Sequence, residues 1–195
     1  MSDIRCGDST HPRASLGRRC ARAAAPLLAA LLLSPLAQAA LKVGDTAPRF
    51  TTPAAVAGKA FDFDMAATLR KGPVVLYFFP KAFTQGCTME AHAFAEATPR
   101  FAAMGATVVG MSHDDIDTLK RFSTEACRDQ FAVASDPQAQ TIRAYDASAA
   151  ADPQRADRIS YVIGQDGKVR FVHIGSDPDE HVRQTEAAVK RLTGK

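Results

Sequence analysis

A six-residue apolar run at 74–79 is followed at once by a proline, and then by a cysteine at the start of a helical pattern. The run is rich in valine and aromatic residues, as expected for a strand that is covered on both faces. Pro80 ends the run, and from Cys87 the apolar residues recur with the period of a helix. This order predicts an α/β unit that presents a cysteine where a strand turns into a helix.

The position of Cys87 favours a reactive thiol. The first turn of a helix has free N–H groups and the positive end of the helix dipole, and both favour the thiolate, which is the nucleophilic form. Thr84 places a hydroxyl three residues before the sulfur, within reach of a molecule bound there. The alternatives are that Cys87 is only a small buried hydrophobic residue and that Thr84 is only a helix N-cap.

The remaining pattern predicts further strands and helices in alternation. Strands are predicted at 106–111, 131–134, 159–163 and 169–174, and helices at 114–126, 137–145 and 177–192. An irregular entry is predicted at 44–50, a weak connection at 62–69 and a surface loop at 147–157. Asp166-Gly167 indicates a hairpin between the last two strands, and Leu192 is predicted to face the core. The order predicts an α/β domain with a thioredoxin-like fold, a mixed central sheet flanked by helices.

The first 39 residues are predicted to be a secretory signal peptide. An arginine-rich start precedes an apolar stretch at 23–33 and a small-residue cleavage site at 37–39. Cleavage after Ala39 would leave one domain at 40–195, in a periplasmic or secreted protein without stable membrane insertion. An uncleaved membrane anchor and a start codon placed too early are the alternatives. The Arg18-Arg19 pair leaves the general and the twin-arginine export routes both open.

Loss of the leader, the predicted signal peptide at 1–39, would change both the net charge and the cysteine count. The whole chain has 24 Lys and Arg against 21 Asp and Glu; the leader holds five Arg and two Asp, which leaves 19 of each sign. A domain without net charge gives no indication of nucleic acid as a partner. Cys6 and Cys20 would leave with the leader, so Cys87 and Cys127 remain as a structural disulfide or a working redox pair.

Four blocks of sequence together resemble a known family. They occur in the order 44–50, 79–90, 131–137 and 158–168, and the second contains a proline, three residues, a threonine, two residues and then the cysteine. This arrangement resembles the peroxiredoxin family, and within it the Q type, also called bacterioferritin-comigratory. The resemblance implies a thiol-dependent peroxidase that reduces hydrogen peroxide and organic hydroperoxides and uses no metal, haem or other cofactor.

The same resemblance assigns the catalytic residues. The family pattern falls on Pro80, Thr84, Cys87 and Arg158. Pro80 would shield the sulfur, Thr84 would orient a hydroperoxide, and Arg158 would favour the thiolate and stabilise the departing oxygen. Without the family, Arg158 is an ordinary surface charge at a strand start, and Arg143 and Arg155 are the next candidates.

The sequence leaves more than one possibility for the thiol that reacts with oxidised Cys87. Many Q-type members carry a second, resolving cysteine five residues after the first, where this chain has His92. Others carry it in the next helix, where Cys127 falls, so Cys127 is expected to condense with a Cys87 sulfenic acid into an intramolecular disulfide. The alternative stays open that Cys127 is inert and that an external thiol reacts with the sulfenic acid. The expected reductant is a thioredoxin-like dithiol protein, and the expected state is a monomer or weak homodimer.

One rival function belongs to another class. Exported thioredoxin-like proteins that exchange disulfides or carry a ligand begin their helix with two cysteines, whereas here Cys87-Thr88-Met89-Glu90 contains one. A copper carrier would need two cysteines in one short loop and a histidine. The histidines of the domain show no metal-ligand spacing with a cysteine, so no metal site is predicted.

Overall fold

The structure, a computed structural model, describes residues 40–195, so the predicted leader lies outside the described residues. The strands of this part are β1 (Thr51–Val56), β2 (Lys59–Asp64), β3 (Val74–Phe78), β4 (Thr107–Ser112), β5 (Ala132–Ser135), β6 (Ser148–Ala149), β7 (Asp152–Ala156), β8 (Ile159–Ile163) and β9 (Val169–Ile174). The helices are α1 (Met65–Leu69), α2 (Gln85–Ala103), α3 (Ile116–Glu125), α4 (Gln140–Ala144) and α5 (Pro178–Thr193). Within this part, no helix is both long and apolar enough to cross a membrane.

Seven strands form one mixed sheet in the order β2-β1-β5-β4-β3-β8-β9. The central pairs β3–β4 and β4–β5 are parallel, whereas the outer neighbours pair antiparallel. The hairpin β8–β9 forms around Asp166-Gly167, as the turn sequence predicts. The mixed sheet confirms the predicted α/β class.

Strand β3 is buried along its whole length because helices cover both faces of the sheet. Its alternate side chains enter two separate cores. On one side, Tyr77 stacks on Phe94 of α2, and Phe79, directly after β3, stacks on Phe122 of α3. On the other side, Phe78 belongs to a core that includes residues of α1 and α4. The cysteine-bearing helix α2 therefore lies against one face of the sheet, directly after the strand that leads into it.

Two segments form strands where the sequence predicts none. β1 and β2 make an edge hairpin at 51–64, after the irregular entry predicted at 44–50 and overlapping only the start of the weak connection predicted at 62–69, and half of its strand residues are exposed. Its turn is set by the positive φ angles of Ala57 and Gly58, 49° and 72°. β6 and β7 pair inside the predicted loop at 147–157. Short, exposed edge strands lack the apolar alternation that identifies a half-buried strand.

The last helix closes the domain over α2. Asp177 caps its start by accepting from the Asp179 N–H, and Gly194 ends it in the left-handed conformation with φ 69°. Arg100 of α2 donates two hydrogen bonds of 2.9 Å to Glu186 of α5. The prediction for Leu192 is wrong, since its side chain is 37% exposed at the end of the helix.

Candidate functional site

Cys87 lies in the first turn of α2, as the sequence predicts, although the helix begins two residues earlier, at Gln85. Only 1% of its surface is exposed. The first turn contains no acidic residue, so nothing in that turn offsets the positive end of the helix dipole. The sulfur therefore lies at the positive end of the helix dipole.

The loop before the helix is held by one aspartate. Asp114, just after β4, accepts a 2.7 Å hydrogen bond from the Ala82 N–H and a 2.8 Å bond from the Ser112 hydroxyl. Phe83 adopts a left-handed φ of 63°, and its ring packs edge-on against Phe122. A loop fixed to the sheet in this way gives the first turn of α2 a defined position.

Thr84 is the N-cap residue of α2, but its side chain does not cap the helix. Its hydroxyl donates instead to the Lys81 carbonyl at 3.0 Å. Because that bond uses the hydrogen, the oxygen keeps its lone pairs for a donor that arrives from outside. Pro80 lies half-buried at the start of the same loop.

Arg158 reaches Cys87 from the neighbouring strand. It directly precedes β8, which pairs antiparallel with β3, so it lies beside the end of the strand that leads into the cysteine loop. Its Nη2 lies 3.6 Å from Cys87 Sγ. A Cβ added to Gly86 would lie 3.1 Å from Nη2, so the guanidinium passes directly over that glycine. Of the two further candidates, Arg143 and Arg155, Arg143 bonds the Gln138 carbonyl instead.

Glu90 belongs to the site and was assigned no role from the sequence. It is fully buried one turn after Cys87 and accepts a hydrogen bond from Nη1 of Arg158. Burial raises the pKa of Glu90 to about 8, although Arg158 acts in the opposite direction. The signal was the spacing of three residues, which puts Cys87 and Glu90 on one face of a helix.

Cys127 lies just beyond the C-cap of α3, Ala126, and is completely buried. It belongs to the same apolar core as Cys87, and both are free thiols. Burial, followed by the charge of Asp129, raises the pKa of the Cys127 thiol far above its usual range. Arg128 and Asp129 after it have positive φ angles of 50° and 62°, an uncommon conformation for side chains of this kind.

Residues 43–172 match the family model described as the AhpC/TSA family. A chloroplastic peroxiredoxin Q of Triticum aestivum is 30% identical over 121 residues, which is 62% of this chain and 55% of that protein. A putative peroxiredoxin of Mycobacterium tuberculosis is 33% identical over 147 residues, 73% of this chain and 90% of that protein. The chain thus spans about half the length of the chloroplastic relatives it matches.

Solved structures share the fold. The peroxidoxin BcpB from Mycobacterium tuberculosis matches with a TM-score of 0.70 and 29% identity, over 78% of this chain and 98% of that one. A PrxQ mutant of Xylella fastidiosa matches with a TM-score of 0.69 over 79% and 98%, but at 21% identity, which speaks for the fold alone. The predicted thioredoxin-like architecture is confirmed in its peroxiredoxin form.

Proposed function

Because the chain belongs to the AhpC/TSA family, as a peroxiredoxin of the Q type, we propose that it is a thiol-dependent peroxidase with Cys87 as the nucleophile. The observation that carries this proposal is the contact between Arg158 Nη2 and Cys87 Sγ at 3.6 Å, in the first turn of a helix. The substrates proposed are hydrogen peroxide and organic hydroperoxides.

In the first step, the Cys87 thiolate attacks one oxygen of the hydroperoxide. The S–O bond forms while the O–O bond breaks, and the departing oxygen takes up a proton to leave as water or an alcohol. Cys87 is oxidised to sulfenic acid and the peroxide is reduced. Arg158 stabilises the negative charge that develops on the leaving oxygen, and the Thr84 oxygen accepts a hydrogen bond from the substrate.

In the second step, the Cys127 thiol condenses with the sulfenic acid, a disulfide forms and water is released. The two Cα atoms must then lie within about 7 Å of each other. Cys127 is buried at the end of α3, so this step requires local opening there or in the first turn of α2. The left-handed residues Arg128 and Asp129 support opening at the α3 end.

The reductant of the disulfide and the cellular location of the protein are also proposed here. A thioredoxin-like dithiol protein would reduce the disulfide. The sequence at 1–39, which lies outside the described residues, supports export to the periplasm or the medium with cleavage after Ala39. N-terminal sequencing of the protein recovered from an exporting host tests the cleavage site, and sedimentation tests the expected monomer or weak homodimer.

Substitution of Cys87 by serine tests the function directly. In Cys87→Ser, peroxide consumption with a dithiol reductant should fall to the background rate, while circular dichroism stays unchanged. Cys127→Ser is the matched control, because it should keep the first peroxide-dependent turnover. Near-normal consumption by Cys87→Ser would contradict the proposal. A wild-type protein that exchanges disulfides but does not consume peroxide would favour the thiol–disulfide exchange alternative.

A further inference from the structure

The Cys127 segment, residues 126–130, is fastened to α2 by one ion pair. Nη1 of Arg128, the residue directly after Cys127, lies 3.0 Å from Oε1 of Glu96. The other hydrogen bonds described for this segment stay within α3 and the turn that follows it. Among residues 40–195, the pair is therefore the one described side-chain bond that joins the Cys127 segment to another element.

The position of Glu96 on α2 decides where this bond holds the segment. Glu96 lies nine residues after Cys87 on the same helix, and so about 14 Å further along the helix axis. The Cα atoms of a disulfide must lie within about 7 Å of each other. The ion pair thus fastens the Cys127 segment beyond the middle of α2, whereas the proposed disulfide has to form at its first turn. Movement of Cys127 toward Cys87 takes Arg128 away from Glu96.

The backbone of the segment is held in an uncommon conformation. Arg128 and Asp129 have positive φ angles of 50° and 62°. Left-handed residues other than glycine are unfavourable, and they persist only where the surrounding structure holds them. Glu96 is the described side-chain partner that holds Arg128. Once this bond is broken, the turn is free to leave the left-handed region.

Opening of the segment uncovers little apolar surface. Its buried residues are Ala126 and Cys127, whose side chains are small, and residues 128–130 are already exposed. Segments with few buried apolar contacts open at a low cost in free energy. The side chains of Arg128 and Glu96 are 50% and 67% exposed. An ion pair of this kind changes the open fraction of such a segment by a factor of about two to five.

We propose that Glu96 is a positioning residue for the second step of the reaction, because it holds Arg128 and thereby limits how often the Cys127 segment opens. This inference rests on the proposed function in taking Cys127 as the thiol that condenses with the Cys87 sulfenic acid. The open fraction of the segment then sets the rate of disulfide formation. Opening itself needs neither peroxide nor oxidised Cys87, so it can be measured separately.

The neighbouring cation on α2 does not replace Arg128 as the partner of the Glu96 carboxylate. Arg100, one turn later, donates two hydrogen bonds of 2.9 Å to Glu186 of α5. Its contact with Glu96 is a 3.4 Å hydrogen bond to the backbone carbonyl, which a side-chain substitution at 96 leaves in place. The pair of Arg100 and Glu186 is therefore a matched reference, because it joins α2 to α5 and not to the Cys127 segment.

The test is the rate at which N-ethylmaleimide modifies Cys127 in the full chain under native conditions, read at the Cys127 peptide by mass spectrometry. For each variant, division by its rate in urea removes changes in the intrinsic reactivity of the thiol. Glu96→Gln should increase the normalised rate about two- to fivefold. Glu96→Arg and Arg128→Glu should each increase it further, because like charges then face each other. The two substitutions together should bring the rate back toward that of the wild type.

The second measurement is the rate of Cys87–Cys127 disulfide formation after one equivalent of hydrogen peroxide, followed by quenching and peptide mapping. The variants should fall in the same order as for the modification of Cys127. Salt screens exposed charges, so NaCl should accelerate the wild type but not Glu96→Gln. Glu186→Gln is the matched control, and it should behave as the wild type in both measurements.

A wild-type rate of Cys127 modification in Glu96→Gln would overturn the proposal, and so would a charge exchange that fails to restore the rate. If a charge-reversed variant does not fold, Glu96→Gln and the salt dependence decide. Faster modification of Cys127 in variants of a protein that does not consume peroxide would refute the peroxidase alone. Normal peroxide consumption with unchanged modification of Cys127 would refute the role of Glu96 alone.

Discussion

Arg158 donates to the sulfur of Cys87 at 3.6 Å across 71 residues of sequence. The contact follows from the pairing of β8 with β3: the start of one strand lies beside the end of the other, where the chain turns into α2. A cation held by the sheet and a thiol held by a helix start are both fixed before any substrate binds. Preorganised charge of this kind needs no reorganisation during the reaction.

Replacement of Arg158 by alanine or lysine should therefore distinguish the effect of its positive charge from the effect of its two parallel N–H donors. Arg158→Ala should slow peroxide-driven loss of the Cys87 thiol by about 100-fold, because a transition-state contact is lost, and should move the midpoint of its pH profile upwards. Arg158→Lys should restore part of the midpoint shift but less of the rate, since lysine cannot present two parallel donors. Single-turnover quenching across pH measures both.

Arg170→Ala is the control for that experiment, because its ion pair with Asp166 lies on the exposed hairpin. It should behave as the wild type. If Arg158→Ala also matches the wild type in midpoint and limiting rate, the assignment of Arg158 is wrong.

Gly86→Ala should make the helix more stable and the enzyme slower. Alanine in place of glycine in a helix normally gains about 0.5–1 kcal/mol, but the new Cβ would lie 3.1 Å from Arg158 Nη2 and push it aside. Peroxide reactivity should fall roughly tenfold, since small displacements of positioning groups are costly. Thr88→Ala, in the same turn, is the control. A fast and stable Gly86→Ala would show that the guanidinium adjusts freely.

Tyr77→Phe should stabilise the domain. Its ring stacks on Phe94 at 4.4 Å, but its buried hydroxyl has no partner among the described residues. Removal of an unsatisfied buried hydroxyl should raise the free energy of unfolding by about 1 kcal/mol. Tyr161→Phe makes the same change where the hydroxyl donates to the Tyr145 carbonyl at 2.8 Å, and should destabilise. Urea unfolding of both variants measures the difference, and a destabilised Tyr77→Phe would reveal an unseen partner.

Glu90→Gln should gain stability relative to the wild type as the pH rises. Folding raises the pKa of Glu90 from 4.5 to about 8, so between these values the folded protein binds a proton that the unfolded chain has lost. The wild type therefore loses free energy of unfolding as the pH rises through this window, and the neutral glutamine does not. Urea unfolding of both proteins at pH 5 and pH 8 measures it. A growing advantage for the wild type would mean that the Arg158 ion pair dominates.

Peroxide should convert the reduced protein into a monomer with a Cys87–Cys127 disulfide, seen by non-reducing peptide mass mapping. Both thiols are free and buried in the same core, and the domain at 40–195 contains no others. Cys127→Ser should instead accumulate sulfenic acid, trapped with dimedone. A disulfide-linked dimer would place resolution between chains, and persistent sulfenic acid in the wild type would indicate a one-cysteine mechanism.

Local patterns were enough to predict β3, α2 and the placement of Cys87, since each depends on neighbours in sequence. Arg158 was found only through family resemblance, because strand pairing, rather than spacing, brings it to the sulfur. The role of Glu90 could have been found from its helical spacing to Cys87. The proximity of His181 to Glu90 could not, because it depends on how α5 packs against α2. The hairpin β1–β2 was missed because edge strands carry little apolar signal.

The burial of Cys127 also affects how the reduced protein reacts with other thiols and disulfides before it encounters peroxide. A fully covered thiol with a strongly raised pKa is almost entirely protonated at neutral pH, and thiols exchange only as thiolates. Disulfides and oxidoreductases that encounter the reduced domain therefore have no second thiolate to react with. In an oxidising compartment, such a protein would not form incorrect disulfides through Cys127. Under the proposed mechanism, Cys127 would become exposed only after Cys87 has been oxidised to sulfenic acid.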